Sequence, residues 1–194
     1  MSQMITPTTE LEAVNEMLKA SGLARASTLA GDVGEVVASA RSTLHTTNRA
    51  IQMEGWSFNE EDKYPLTPDM DGNINLPAGV LKLKKSPWDH HHVDPVVRGS
   101  RLYDRRNHTY NFSGTLLVTL TQGLSFDELP AHARHYITMS AVRKYQTEEV
   151  QSDVLYRFTA GDEIRAKSAF LNAEAETQSL NMGGTPFLAS IRNS

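Results

Sequence analysis

Residues 86–94 read Ser86-Pro87-Trp88-Asp89-His90-His91-His92-Val93-Asp94, a histidine run set between two aspartates and beside a tryptophan. Imidazole and carboxylate are zinc ligands, and a zinc site needs three or four of them converging on one point. Neighbouring residues of an extended chain face opposite ways, so the three histidines cannot converge together. His90 and His92 share a face, with Asp94 or His108 to complete a set. Two readings compete with a metal-dependent enzyme. One is a solvated loop stiffened by Pro87 and Pro95; the other is an interface loop built around Trp88, a residue type enriched at binding hot spots. The expectation is a metal-free loop that touches a neighbouring protein.

Paired carboxylates would serve a glycan hydrolase. Glu60-Glu61-Asp62, Asp127-Glu128 and Glu148-Glu149 are the acidic clusters. Each falls at an element boundary, where carboxylates cap helices and solvate turns. No Gly-x-Ser-x-Gly nucleophile elbow, phosphate-binding glycine loop or His-Glu-x-x-His zinc motif occurs. His132 and His135 are spaced i, i+3 on a predicted helix and read as surface residues of it. Without cysteine there is no thiolate nucleophile and no disulfide. The expectation is therefore no catalytic residues, no metal, no cofactor and no enzyme activity.

The charge is −4, which argues against a dedicated DNA-binding surface. It is uneven: residues 64–110 hold seven Lys/Arg against five Asp, a balance of +2 that leaves −6 elsewhere. Lys82, Lys84 and Lys85 fall on a predicted strand, a common protection for a sheet edge. Composition is that of an ordinary soluble chain, 39% apolar and 22% charged over 194 residues, enough for one domain or two small ones. No apolar run approaches the roughly 18–20 residues of a membrane span. The N-terminus has no basic then apolar leader pattern, so no membrane anchor or signal peptide is expected.

Helical periodicity brackets a proline-rich middle. Thr9-x-x-Glu12 is a capping-box pattern, followed by Leu11, Val14, Met17 and Leu18 and stopped at Gly22. Asp32-x-x-Glu35 is a second start, with Val37, Ala40, Leu44, Thr47 and Ile51 on one face of a helix about 30 Å long that ends near Gly55. Small residues Ala38, Ser39, Ala40, Ser42 and Thr43 suit close helix packing. Pro65, Pro68, Pro77, Pro87 and Pro95 exclude long helices next. Residues 80–84 alternate as a strand, 101–112 read as a hairpin, and 115–121 as a further strand. A third helix is expected from Ser125-x-x-Glu128 onward, with Pro130 in its first turn and Ala133, Ile137, Ala141 and Tyr145 as its stripe. A fourth spans about residues 153–179, with Leu155, Phe158, Ala166, Phe170, Ala173 and Leu180 on its apolar side and a break or kink at Gly161.

The expected fold class is α+β: an antiparallel helical bundle from the N- and C-terminal segments, residues 1–57 and 127–182, with an inserted small antiparallel β domain, residues 58–126. Gly183-Gly184 then uncouples a flexible C-terminal tail, residues 183–194, whose Phe187, Leu188 and Ile191 join Trp88 as candidate partner-binding residues.

Two blocks carry a resemblance. The first, residues 11–61, holds Ala13-Val14-Asn15-Glu16-Met17-Leu18, Ser27-Thr28-Leu29-Ala30-Gly31-Asp32, and Asn48-Arg49-Ala50-Ile51-Gln52 through Gly55-Trp56-Ser57-Phe58-Asn59; the second, residues 102–146, holds Asp127-Glu128-Leu129-Pro130 leading into a helix. In this order they resemble the tail tubular protein A (adaptor or gatekeeper) family of T7-like podoviruses, over about half of the chain. Residues 62–100 match poorly, and the histidine run is outside the pattern. The resemblance implies a structural adaptor: a homo-oligomeric, dodecameric ring joining the portal protein to the tail nozzle (tubular protein B). Tail fibre is a further candidate neighbour. Genomic DNA passes through such a ring without specific binding. It also implies localisation in the virion tail after assembly in the host cytoplasm. Hydrolase activity has been suggested for some relatives, so a tail-associated peptidoglycan hydrolase is the alternative, ahead of a metal-dependent enzyme.

Overall fold

The computed structural model describes residues 7–85, 92–149 and 153–183. Four helices and small antiparallel sheets give an α+β fold with an inserted β domain. The helices are α1 (Glu10–Ala20), α2 (Glu35–Gln52), α3 (Ala131–Glu149) and α4 (Asp153–Gly183). The strands are β1 (Glu60–Leu66), β2 (Val80–Lys85), β3 (Pro95–Arg98), β4 (Arg101–Asp104) and β5 (Leu116–Gln122). The chain divides into two compact units, one from Met1–Ile51 with Ser125–Ser194, the other Gln52–Leu124. No described helix is long and apolar enough to cross a membrane.

In the helical unit the Thr9 capping box forms as its pattern predicts: the hydroxyl accepts from Glu12 N–H at 3.3 Å, and the Glu12 carboxylate accepts from Thr9 N–H at 2.8 Å. The second start differs. Helix α2 begins at Glu35, because Asp32 spends its carboxylate on the Gly34 N–H at 3.3 Å and Gly34 (φ +74°) supplies the first helical carbonyl, accepting from Ala38 N–H. The third helix is also split. Ser125 and Glu128 box a single 3-10 turn, Phe126–Glu128, and Pro130 opens a separate α3.

Ala133, Ile137, Ala141 and Tyr145 form the buried stripe of α3, which meets Ala13, Val14, Met17 and Leu18 of α1 and Ala166 and Phe170 of α4 in the core. Helix α4 runs antiparallel to α3: His132 faces Glu174, Tyr136 stacks on Phe170 at 5.2 Å, and Arg143 pairs with Glu163. Gly161 neither breaks nor ends α4; a single helical glycine costs about 1 kcal/mol relative to Ala, little beside this packing. The side chains of Leu155, Phe158 and Leu180 lie outside the described residues.

In the β unit, β5 is the central strand of a three-stranded antiparallel sheet ordered β1-β5-β2, and β3 pairs with β4. Leu66, Ile74, Val93, Leu102, Phe112, Leu116, Val118 and Leu120 make its core. One expectation needs correction. Strand β4 forms its hairpin with β3, through Gly99-Ser100, and its backbone bridges the expected partner segment only at Asp104–Thr109. The Glu60-Glu61-Asp62 cluster opens the edge strand β1, at an element boundary as expected.

The ends of this unit are clasped by amides. The buried Gln52 side chain donates to Leu124 C=O at 2.9 Å and accepts from Leu124 N–H at 2.8 Å. Asn59, also buried, donates to Gln52 C=O at 3.0 Å and Gln122 C=O at 2.9 Å, and accepts from Trp56 N–H at 2.8 Å. Gly55 between them is at φ +87°, and a Cβ there would stand 2.6 Å from Glu60 Oε2. Gln52, Gly55 and Asn59 of the motif thus close the neck of the insert.

Candidate assembly surfaces

The histidine run is mostly out of view: Trp88, His90 and His91 lie outside the described residues, as do Phe187, Leu188 and Ile191. At its edge, His92 is exposed and its carbonyl accepts from Asn107 Nδ2 at 3.1 Å. Asp94 pairs with Arg105 at 3.0 Å. Among the described residues no group of three His, Asp or Glu is placed to hold a metal ion.

The acidic clusters are engaged in structure. Glu60 pairs with Lys84 at 3.1 Å, and Asp62 accepts from the Thr119 hydroxyl at 2.9 Å. Asp127 accepts from Glu10 N–H at 3.2 Å, at the start of α1. Glu128 accepts from the Ser125 hydroxyl and N–H, which hold its carboxyl below the usual glutamate value. Glu148 lies 3.5 Å from the Thr43 hydroxyl.

The fold also assembles pairs that spacing did not reveal. His132, expected on the surface without an acidic neighbour, is 3.2 Å from the buried Glu174 and flanks Phe170; His135 is exposed as expected. Glu10 meets both Arg41 and His45 at 2.7 Å. Burial pushes the Glu10 carboxyl up, but these two partners outweigh it and leave it below the usual value.

Among the described residues, three surfaces stand open. A groove of about 480 Å³ in the helical unit is lined by Thr47, Tyr136, Ser140, Lys144 and Thr147 among others. A second, about 530 Å³, lies under the 23–37 segment, where Leu23 and Val36 are exposed. Asn15 fixes that segment, donating to Ala26 C=O at 2.9 Å and accepting from Ala26 N–H at 2.7 Å. Third, α4 exposes Ile164 and Leu171, seven residues apart and so on one side of the helix. Exposed aliphatic side chains at built surfaces of this kind suit docking more than catalysis.

A basic aromatic face was also missed. Arg98 lies over Tyr103, 3.6 Å from its centroid, and Arg101 over Tyr110 at 4.9 Å. The two rings meet edge to face at 4.9 Å. The available signal was Gly99-Ser100 between two short runs, a two-residue hairpin turn with Gly99 at φ +63°.

Comparison with known proteins accords with this inventory. A family model described as tail tubular protein matches residues 11–180. The tail tubular protein A of Klebsiella phage KP34 is 26% identical over 183 residues, covering 94% of this chain and 96% of that protein.

Proposed function

The chain belongs to the tail tubular protein family, and from that premise we propose that it is the adaptor ring joining portal to tail nozzle and forming part of the DNA ejection channel. That it is a structural protein of a phage tail, located in the virion tail, follows from the family itself. The family match over nearly the whole chain carries the finer reading. The exposed aliphatic surfaces of the helical unit support it, since a ring subunit must present apolar contacts to its neighbours. The overall charge of −4 suits a channel through which DNA slides, because each neutralised phosphate adds to a salt-dependent hold. The proposed form is a homododecamer in contact with the portal and the nozzle protein, assembled in the host cytoplasm, with tail fibre as a further neighbour. Its role is purely architectural. The test is co-sedimentation of the purified chain with purified portal and with purified nozzle protein; failure to bind both would contradict the adaptor role.

Trp88, Phe187, Leu188 and Ile191 are the proposed partner contacts. Burying one such side chain contributes roughly 1.5–3 kcal/mol before ordering costs, and a ring multiplies any net gain. Deleting residues 185–194 is expected to leave the thermal unfolding of the free chain unchanged and to weaken portal binding at least about tenfold. A truncated chain that melts markedly earlier would place the segment in the fold of its own subunit instead.

A further inference from the structure

The β3–β4 hairpin turns one face outward. Cross-strand register sets Val96 opposite Tyr103 and Arg98 opposite Arg101, so these four share one face. Leu102 and Asp104, on the other face, are buried. On the outward face the two guanidiniums and the two tyrosine rings hold one another in a stack. A stacked guanidinium is fixed in plane while its N–H edges remain available to a planar acceptor. Arg101 uses one of these on Asn73 Oδ1 at 3.4 Å, and neither arginine forms an ion pair with any described residue. Arginine and tyrosine on a rigid element are the composition of a binding hot spot.

Charge points to the occupant. Residues 94–110 hold four Arg and two Asp, a balance of +2 within a chain of −4, so the rest of the chain carries −6. A second copy thus offers the opposite sign of charge to this face. A guanidinium already lies over one face of each tyrosine ring, where it competes with the base stacking that single-strand binders require.

We propose that the Arg98-Arg101-Tyr103-Tyr110 face docks on the acidic surface of a second copy of the chain. The contact is head-to-tail, one surface meeting a different one, which is the arrangement that closes a ring. It rests on the ring reading above and adds the surface through which neighbouring copies recognise each other.

The test is sedimentation equilibrium of the purified full chain carrying Arg98→Glu with Arg101→Glu. Self-association is expected to weaken at least about tenfold while thermal unfolding stays that of the unaltered chain, since both side chains are exposed. Arg98→Lys with Arg101→Lys, which keeps charge and loses the planar stack, should fall between the two. Raising salt to about 0.5 M should weaken the unaltered chain in the same direction. If the reversed variant assembles as the unaltered chain does, this inference is overturned and the ring reading stands. If the unaltered chain stays monomeric both alone and on the portal, both fall. If reversal spares assembly but abolishes retention of a random-sequence DNA duplex, the face serves nucleic acid and the inference is likewise overturned.

Discussion

Phe170→Ala is expected to destabilise the helical unit by about 3–5 kcal/mol, the cost of emptying a packed aromatic site. Phe170 is fully buried, stacks on Tyr136 at 5.2 Å and lies 5.7 Å from the His132 ring, so among the described residues it is the main apolar link between α3 and α4. Against a typical domain stability of about 5–15 kcal/mol, such a loss leaves α4 poorly held at physiological temperature. Leu171→Ala, one residue on and 43% exposed, should change stability by no more than about 0.5 kcal/mol. Chemical denaturation of the two variants measures the difference. Equal and small effects would mean that α4 is not docked on α3 as described.

Asp104→Ala is the second large effect, and it is specific to the β unit. The carboxylate is almost wholly buried and accepts from Asp94 N–H at 2.9 Å, Arg106 N–H at 2.9 Å and Asn107 Nδ2 at 2.6 Å. Removing it strands these donors, at a cost of about 3 kcal/mol for the group. The pH dependence has a definite sign. Burial pushes the Asp104 carboxyl up, but hydrogen bonds from Asp94, Asn107 and Arg106 outweigh it, so its folded pKa lies below the ordinary value of 3.8. A depressed carboxylate stabilises fully above its unfolded pKa and loses that contribution as pH falls through the folded one. The unaltered β unit should therefore lose stability below about pH 4. Asp104→Asn should be less stable near neutrality and flatter across that acid range. Parallel acid unfolding curves for the two proteins would contradict the role given to Asp104.

The sequence was legible where structure is local. The Thr9–Glu12 box, the α3 stripe and β5 depend on residues within a few positions of one another, and each formed near where its pattern lies. Strand β1 was hidden by a bulge: its register against β5 shifts between Glu61 and Tyr64, where Lys63 takes φ +56°, and the extra residue destroys period-two alternation. Strand β3 was hidden by its length and by Pro95, although the Gly99-Ser100 turn was readable. The His132–Glu174 pair joins residues 42 apart and depends on helix packing that no local pattern encodes. The same holds for the Gln52–Leu124 clasp, 72 residues apart. Motif residues Asn15, Gln52 and Asn59 were legible only as parts of a family pattern. In the fold each is a buried or half-buried amide that ties two segments of its own unit together.

The central claim is that this chain works as one subunit of a ring seated on a portal. Native mass spectrometry of the complex formed from purified chain and purified portal tests it most directly. A single closed species with twelve-fold copy number of this chain per portal ring is expected, which the Arg98→Glu, Arg101→Glu variant fails to complete. A chain that leaves the portal's mass unchanged, or binds it in a continuous spread of copy numbers, would contradict the adaptor ring.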